Sequence, residues 1–332
     1  MGNVIKGKIA RPRRYCFYGP EGVGKTTLAA DAPSPIFFDL EGGSSSLDVD
    51  RYPLGEDGGF IPSTYEEVME GLNDLIRSEH DYKTLVIDSM SALEVLLQQY
   101  CCRIDSGVTS PLNKSGRKLS SIEEYGFGAG YKRSAEVLGY FLRRTERLMD
   151  RRGMTVVFIA HSATRIFKNP EGDDFDRIEM DAHHAFSRAI KKCVDVYGYC
   201  AFEQGASKTN TGATKGWSTG RRLVHLVRRA AFDAKSRVVM PAEVELSIEA
   251  PWAPFLAASM EDDGKTSDDI IAEIALEVDR IGDPDVARKV HEAATSAAKD
   301  KKNGKDILIK YLMDLKSRPA VESTEKEEGE QK

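Results

Sequence analysis

The sequence predicts an α/β protein: a mostly parallel central sheet flanked by helices, with a small helical region towards the C-terminal end. Three observations carry this. The apolar run 15–18 leads into Gly19, Pro20, Glu21, Gly22, Val23, Gly24, Lys25, Thr26 and Thr27, a complete G-x-x-x-x-G-K-T loop in its strand–turn–helix setting. Further short apolar runs at 36–40, 84–87 and 155–159 are separated by stretches of helical period, as in a parallel sheet with crossover helices. These runs end at or next to polar side chains, Glu41, Asp88 and His161, at the edge where open α/β sheets bind ligands.

The loop has the residue types that phosphate binding requires. Glycines let backbone N–H groups curl around a phosphate with no Cβ in the way. The helix that follows adds its positive N-terminal end. Lys25 brings a point charge to the outer phosphates, and the Thr26 hydroxyl suits Mg²⁺. Asp88 closes an apolar strand in the manner of the second nucleotide motif, where a carboxylate holds Mg²⁺ through water. The alternative is that Asp88 caps the next helix, which is expected to start near Ser91.

Size and composition narrow the classes. A chain of 332 residues holds one large α/β domain and a smaller appendage, and 41% hydrophobic with 30% charged residues suits a globular protein. No apolar run reaches membrane-spanning length, and the N-terminal end has no core of signal-peptide length, so a cytoplasmic protein away from membranes is expected. The five cysteines form no Cys-x-x-Cys pair, which argues against a zinc site and for small buried apolar residues in a reducing compartment. The net charge of −6 owes much to a glutamate-rich end, so local basic surface decides any nucleic-acid binding.

In chain order, residues 1–13 are a polar, basic arm and 14–250 the core. A short helix after the loop is bounded by Pro33 and Pro35. Ser63 or Thr64 caps a helix, with Thr64-Tyr65-Glu66-Glu67 fitting a capping box and Val68, Leu72, Leu75 and Ile76 on one face. After a helix ending near Arg103 comes a polar loop at 105–125, then a glycine–aromatic stretch at 125–131. A long basic helix follows at 131–152, with Val137, Leu138, Phe141, Leu142 and Leu148 as its stripe. A second loop is expected at 164–181, a helix at 182–192, a strand at 194–201, an exposed hairpin tip at 205–222, a returning strand at 223–227 and an edge at 238–248. A linker at 251–267 leads to three helices, 268–281, 283–300 and 305–316, within a helical region 268–318. Residues 319–332 have the composition of a disordered acidic tail.

These motifs resemble the RecA/RadA-type core ATPases, closest to the compact core-only recombinase and single-strand annealing ATP-binding proteins of phages. Phe38-Asp39-Leu40-Glu41-Gly42-Gly43 sits where that family has its water-activating glutamate, and Val86-Ile87-Asp88-Ser89 is similar to its magnesium strand. Phe158-Ile159-Ala160-His161 falls at its γ-phosphate sensor, where RecA has Gln, and Phe232-Asp233-Ala234-Lys235-Ser236-Arg237 resembles the phage-type segment after the last hairpin. The resemblance implies a RecA-like P-loop NTPase that binds ATP and Mg²⁺. Lys25, Glu41 and His161 are then catalytic, and Thr26 and Asp88 lie on the metal. Lys235 and Arg237 act on a neighbour's nucleotide in a ring or filament, although a solvated strand-end pair explains them equally well.

The family's two mobile loops correspond to 105–131 and 162–181. The first offers Lys114, Arg117 and Lys118 with Tyr125, Phe127 and Tyr131 as cations and stacking faces for single-stranded DNA. The second offers Arg165 and Lys168 among many acids. The 205–222 tip, with Lys208, Lys215 and Trp217, is a candidate independent of the resemblance. Each patch is also explained as a solvated loop. The expected function is ATP-dependent single-stranded-DNA binding in phage-type recombination or annealing, in a bacterial host cytoplasm. The alternative is a nucleotide-switched assembly or helicase-loading factor acting on a replication or recombination protein.

Overall fold

The strands of the core are short runs whose side chains are apolar on both faces, and such runs are stable only where helices cover both sides of a sheet. In the computed structural model, β1 (Arg14–Tyr18), β4 (Thr84–Asp88) and most of β5 (Thr155–Ala160) are buried throughout, as is β2 (Pro35–Asp39) after its first residue. The structure describes residues 11–55, 58–110, 112–208, 214–262, 266–283, 285–290, 292 and 304–317.

With β3 (Asp50–Arg51), β8 (Val196–Lys208), β9 (Thr214–His225) and β11 (Glu243–Glu245), the sheet order is β3-β2-β4-β5-β1-β8-β9-β11, and β10 (Lys235–Ser236) pairs with β8. From β3 to β8 every pairing is parallel; β9, β10 and β11 pair antiparallel. β5 thus separates the phosphate-loop strand from the Asp88 strand. Register sets Tyr18 opposite Ala160, Asp88 opposite Ile159, and Asp39 opposite Asp88, so the phosphate loop, Asp88, Asp39 and His161 emerge at one edge.

The helices are α1 (Lys25–Ala30), α2 (Tyr65–Arg77), α3 (Met90–Asp105), α4 (Ala129–Arg152) and α5 (His184–Cys193). Thr64 caps α2, and Glu67 completes the reciprocal box. Val68, Leu72, Leu75 and Ile76 are buried, as are Val137, Leu138, Phe141 and Leu148 of α4. Each fully buried side chain of this kind, such as Leu72, Phe141 or Phe158, contributes roughly 1.5–3 kcal/mol relative to exposure.

Several expectations are corrected. The second loop is a separate antiparallel hairpin, β6 (Ser162–Phe167) with β7 (Phe175–Met180). Its acids read as loop, but Arg177 is buried with its guanidinium 4.6 Å from the Phe167 ring centroid, an attraction that composition hides. The 205–222 tip is mostly strand, because β8 runs to Lys208 and β9 begins at Thr214. Trp217 supports this pairing by lying over Gly205 directly across the ladder. The edge expected at 238–248 is ordered as strand only at Glu243–Glu245.

The stretch expected as a linker contains α6 (Ala253–Asp262), whose Pro254 sits in the first turn, where a missing N–H leaves no intrahelical bond unmade. The chain divides into two compact units, one ending at Pro254 and one starting at Phe255. The second contains α7 (Ser267–Ile281), capped by Thr266 with Asp269, and α8 (Gly304–Ser317). Its core includes Ile270, Ile274, Ile281, Leu308, Leu312 and Leu315. Most of the helix expected at 283–300, the tail 319–332 and residues 1–10 of the arm lie outside the described residues. No described helix is long and apolar enough to cross a membrane.

Candidate nucleotide site

The loop after β1 turns against β8. A Cβ on Gly19 would meet the Cys200 carbonyl oxygen at 2.2 Å, so only glycine lets the backbones pass. Gly24 has φ of 98°, a left-handed geometry that favours glycine, and it immediately precedes α1. Lys25 is buried and folds back on the loop, with Nζ donating to the Gly19 and Pro20 carbonyls at 2.8 Å each. Burial pulls its ammonium below the ordinary lysine value, against the pull of Asp88, Glu21 and Glu41.

Thr26 Oγ1 donates to Asp88 Oδ2 at 2.8 Å. Burial raises the Asp88 carboxyl to about 6, helped by Asp39 and Glu41 and opposed by the Thr26 hydrogen bond and Lys25. Asp88 does not cap α3; that role falls to Ser89, whose Oγ accepts from Ala92 N at 3.2 Å. A hydroxyl and a carboxylate side by side form an all-oxygen donor set suited to a hard cation, so Thr26 and Asp88 are the residues that would hold Mg²⁺.

Glu41 is positioned from two sides. Ser89 Oγ donates to Oε1 at 2.6 Å, and His161 Nε2 lies 2.9 Å from Oε2. His161 itself is pinned by its backbone, with N donating to Ser91 Oγ at 3.3 Å and O accepting from Asp181 N at 2.9 Å. Its Nδ1 is buried with no hydrogen-bond partner among the described residues. Asp39 shapes the turn that carries Glu41, accepting from the N–H groups of Gly42, Gly43 and Ser44 at 2.8–3.1 Å. A cavity of about 770 Å³ opens beside Glu41, bordered by Ser91, Glu94, Tyr131, Arg165 and His183.

Ser89 and Asp39 are site residues that sequence reasoning missed. A serine just before a helical run signals a cap, and an Asp ahead of a Gly-Gly pair signals a side-chain-bonded turn. Neither signal reveals Glu41 as the neighbour.

The remaining candidates are spread over other surfaces. Lys114 and Lys118 are exposed, and Phe127 is fully exposed on the turn before α4. Arg117 donates to the Glu124 carbonyl. Tyr125 is buried, with its hydroxyl 2.8 Å from the Cys101 carbonyl and from Asp105 Oδ2, so it is not the stacking face expected of it. Tyr131 stacks on His183 with ring centroids 3.8 Å apart. Arg165 pairs with Asp181 at 3.6 Å and Lys168 with Asp174. Lys215 and Trp217 are exposed on β9, and the Lys208 side chain lies outside what is described.

Lys235 donates to the Lys191 and Val194 carbonyls, and Arg237 to the Lys192 carbonyl with Asp195 at 3.5 Å. Both belong to the segment that pairs with the start of β8, level with the start of β1 and away from the phosphate loop.

This edge, with its glycine loop, lysine, hydroxyl–carboxylate pair and braced glutamate on a mostly parallel sheet, defines a P-loop nucleotide-binding domain. A family model described as an AAA domain matches residues 11–238, and the chain belongs to that family. No curated protein matches the chain.

Proposed function

We propose that the protein hydrolyses ATP and couples hydrolysis to single-stranded DNA, in recombination or strand annealing of the phage-type RecA-like kind. The observation that carries hydrolysis is the Glu41 carboxylate, held by Ser89 and His161 beside Lys25 and Asp88. Glu41 orients a water for attack on the terminal phosphate, and Lys25 offsets the charge that develops there. His161 joins that carboxylate to the start of β6 and so reports the state of the site to the hairpin. Thr26 and Asp88 would hold Mg²⁺, which would add to the charge neutralisation.

DNA binding is supported by Lys114 and Lys118, which no described residue pairs, by the exposed Phe127 ring, and by Lys215 and Trp217 on β9. The resemblance adds a homo-oligomer, ring or filament, in which Lys235 and Arg237 would have to leave their present carbonyl partners to reach a neighbour. A second reading, a nucleotide switch acting on a replication or recombination protein, is favoured by the β6–β7 hairpin, where Arg165 and Lys168 are already paired with acids.

The test is ATP turnover with and without single-stranded DNA, with Lys25→Ala as the blank. Slow turnover that DNA accelerates, and that Glu41→Gln lowers by about 10²-fold or more, is expected. Turnover indifferent to DNA would sink the DNA reading in favour of the switch.

A further inference from the structure

Beyond β1, the hairpin of β8 and β9 continues past the edge of the sheet. The last pairing of β1 with β8 is Tyr18 with Tyr199, whereas β8 and β9 stay paired from Tyr199 to Lys208. Arg222 lies on β9 near the root of this arm, opposite Phe202. A Cβ placed on Gly24 would meet Arg222 Nη1 at 3.2 Å and its Cδ at 3.8 Å. The side chain therefore lies across the face of the phosphate loop that glycine leaves open.

Its neighbour Arg221 is held by Glu203 and Glu245 at 2.8–3.3 Å. Arg222 differs. It is exposed, and among the described residues no hydrogen bond or ion pair holds its guanidinium. An unpaired cation laid against a loop that carries Lys25 is a juxtaposition of like charges, and an anion between them would turn it into a clamp. A guanidinium is suited to that place, because its planar fork can bind two phosphate oxygens at once.

We infer that Arg222 is a phosphate contact of the nucleotide supplied by the same chain, gripping from the arm side what Lys25 and the loop backbone grip from below. This rests on the nucleotide reading of the site. Arg222 thereby leaves the set of arm cations available to nucleic acid, and it ties the arm to the occupancy of the loop.

The experiment is a titration of the full-length protein with fluorescent ATP and ADP analogues in Mg²⁺, with adenosine as a competitor that carries no phosphate. Arg222→Ala is expected to raise Kd for both nucleotides about tenfold, the usual scale for losing one charge-assisted contact. Arg222→Lys should recover part of the loss. Adenosine competition should be unchanged, which a general disturbance of the fold would not produce. Arg147→Ala, which removes an exposed cation from α4, should leave Kd within twofold of wild type.

A Kd for Arg222→Ala within twofold of wild type, while Lys25→Ala loses binding, overturns the proposal and leaves the nucleotide site intact. The proposal also fails if Arg222→Ala weakens single-stranded-DNA binding but not nucleotide binding, because the side chain then belongs to the nucleic-acid surface. Wild-type protein that binds no nucleotide overturns the proposal and the site together.

Discussion

Asp88 shows what one buried carboxylate costs. Its folded value of about 6 lies above the ordinary 3.8, chiefly because burial disfavours its charge. Between those values the folded chain holds a proton that the unfolded chain has released, so this group's stabilising effect is present at low pH and fades as pH rises through 6. The difference amounts to at most about 3 kcal/mol. Asp88→Asn is expected to be more stable than wild type at pH 7.5 in metal-free buffer, by about 1–3 kcal/mol, and equal to it near pH 4. Urea unfolding at a series of pH values checks this; a constant gap across the series would refute it. Ser89 serves two elements, so Ser89→Ala should lower the stability of α3 by about 1 kcal/mol. The same variant should reduce turnover, because Glu41 loses one of its two braces; Ser89→Thr should retain both functions. Lys25, Thr26 and Asp88 were legible in the sequence because their chemistry is confined to two short motifs. Ser89 was not, because its contact with Glu41 is set by the register of β2 against β4, and Asp39 was not, because its bonds within its own turn do not reveal that the turn delivers Glu41 to the site.

At the scale of the element, the start and buried face of helix α2 were readable, since its cap and stripe are local, and the structure settles the cap on Thr64 rather than Ser63. Thr64→Ala should cost about 1 kcal/mol of stability, measured by chemical denaturation. The pairing of β8 with the returning β9 was readable as a hairpin, but not how far its strands extend, and the β6–β7 hairpin was not readable. Their sequences are rich in Gly, Ser, Thr and acids, residues that favour turns unless cross-strand contacts decide otherwise. Trp217 offers a direct probe of the arm. The chain has only two tryptophans, and Trp252 is buried at 2% exposure while Trp217 is 49% exposed. Single-stranded DNA should quench the exposed component of the emission, and Trp217→Ala should abolish that response and weaken binding by about 1–3 kcal/mol if a base stacks there. Unchanged emission at saturating DNA would remove the arm from the nucleic-acid surface.

For the whole molecule, the units ending at Pro254 and starting at Phe255 contain separate hydrophobic cores. Both tryptophans lie in the first, so tryptophan emission follows that unit alone while circular dichroism at 222 nm follows every helix. The smaller unit buries less surface and is expected to unfold first. Dichroism should therefore begin to fall at a lower denaturant concentration than emission; superimposable curves would mean that the two unfold as one. The sheet order was only partly legible: the parallel core followed from buried apolar runs, but which strand lies between β1 and β4 depends on the packing of the helices.

The arm has a mechanical consequence. It is anchored on one side where β8 leaves β1, at Tyr199 and Cys200, and on the other by Leu246 N, which donates to the Arg222 carbonyl at 2.9 Å. The end of β8 at Lys208 is about 26 Å from Cys200 at the usual strand rise. A bulge between Phe202 and Gln204 interrupts the ladder just past Arg222, so the arm bends immediately beyond its fixed root. A phosphate held by Arg222 would thus brace the hinge at the root of the arm and leave the outer strands to move about the bulge.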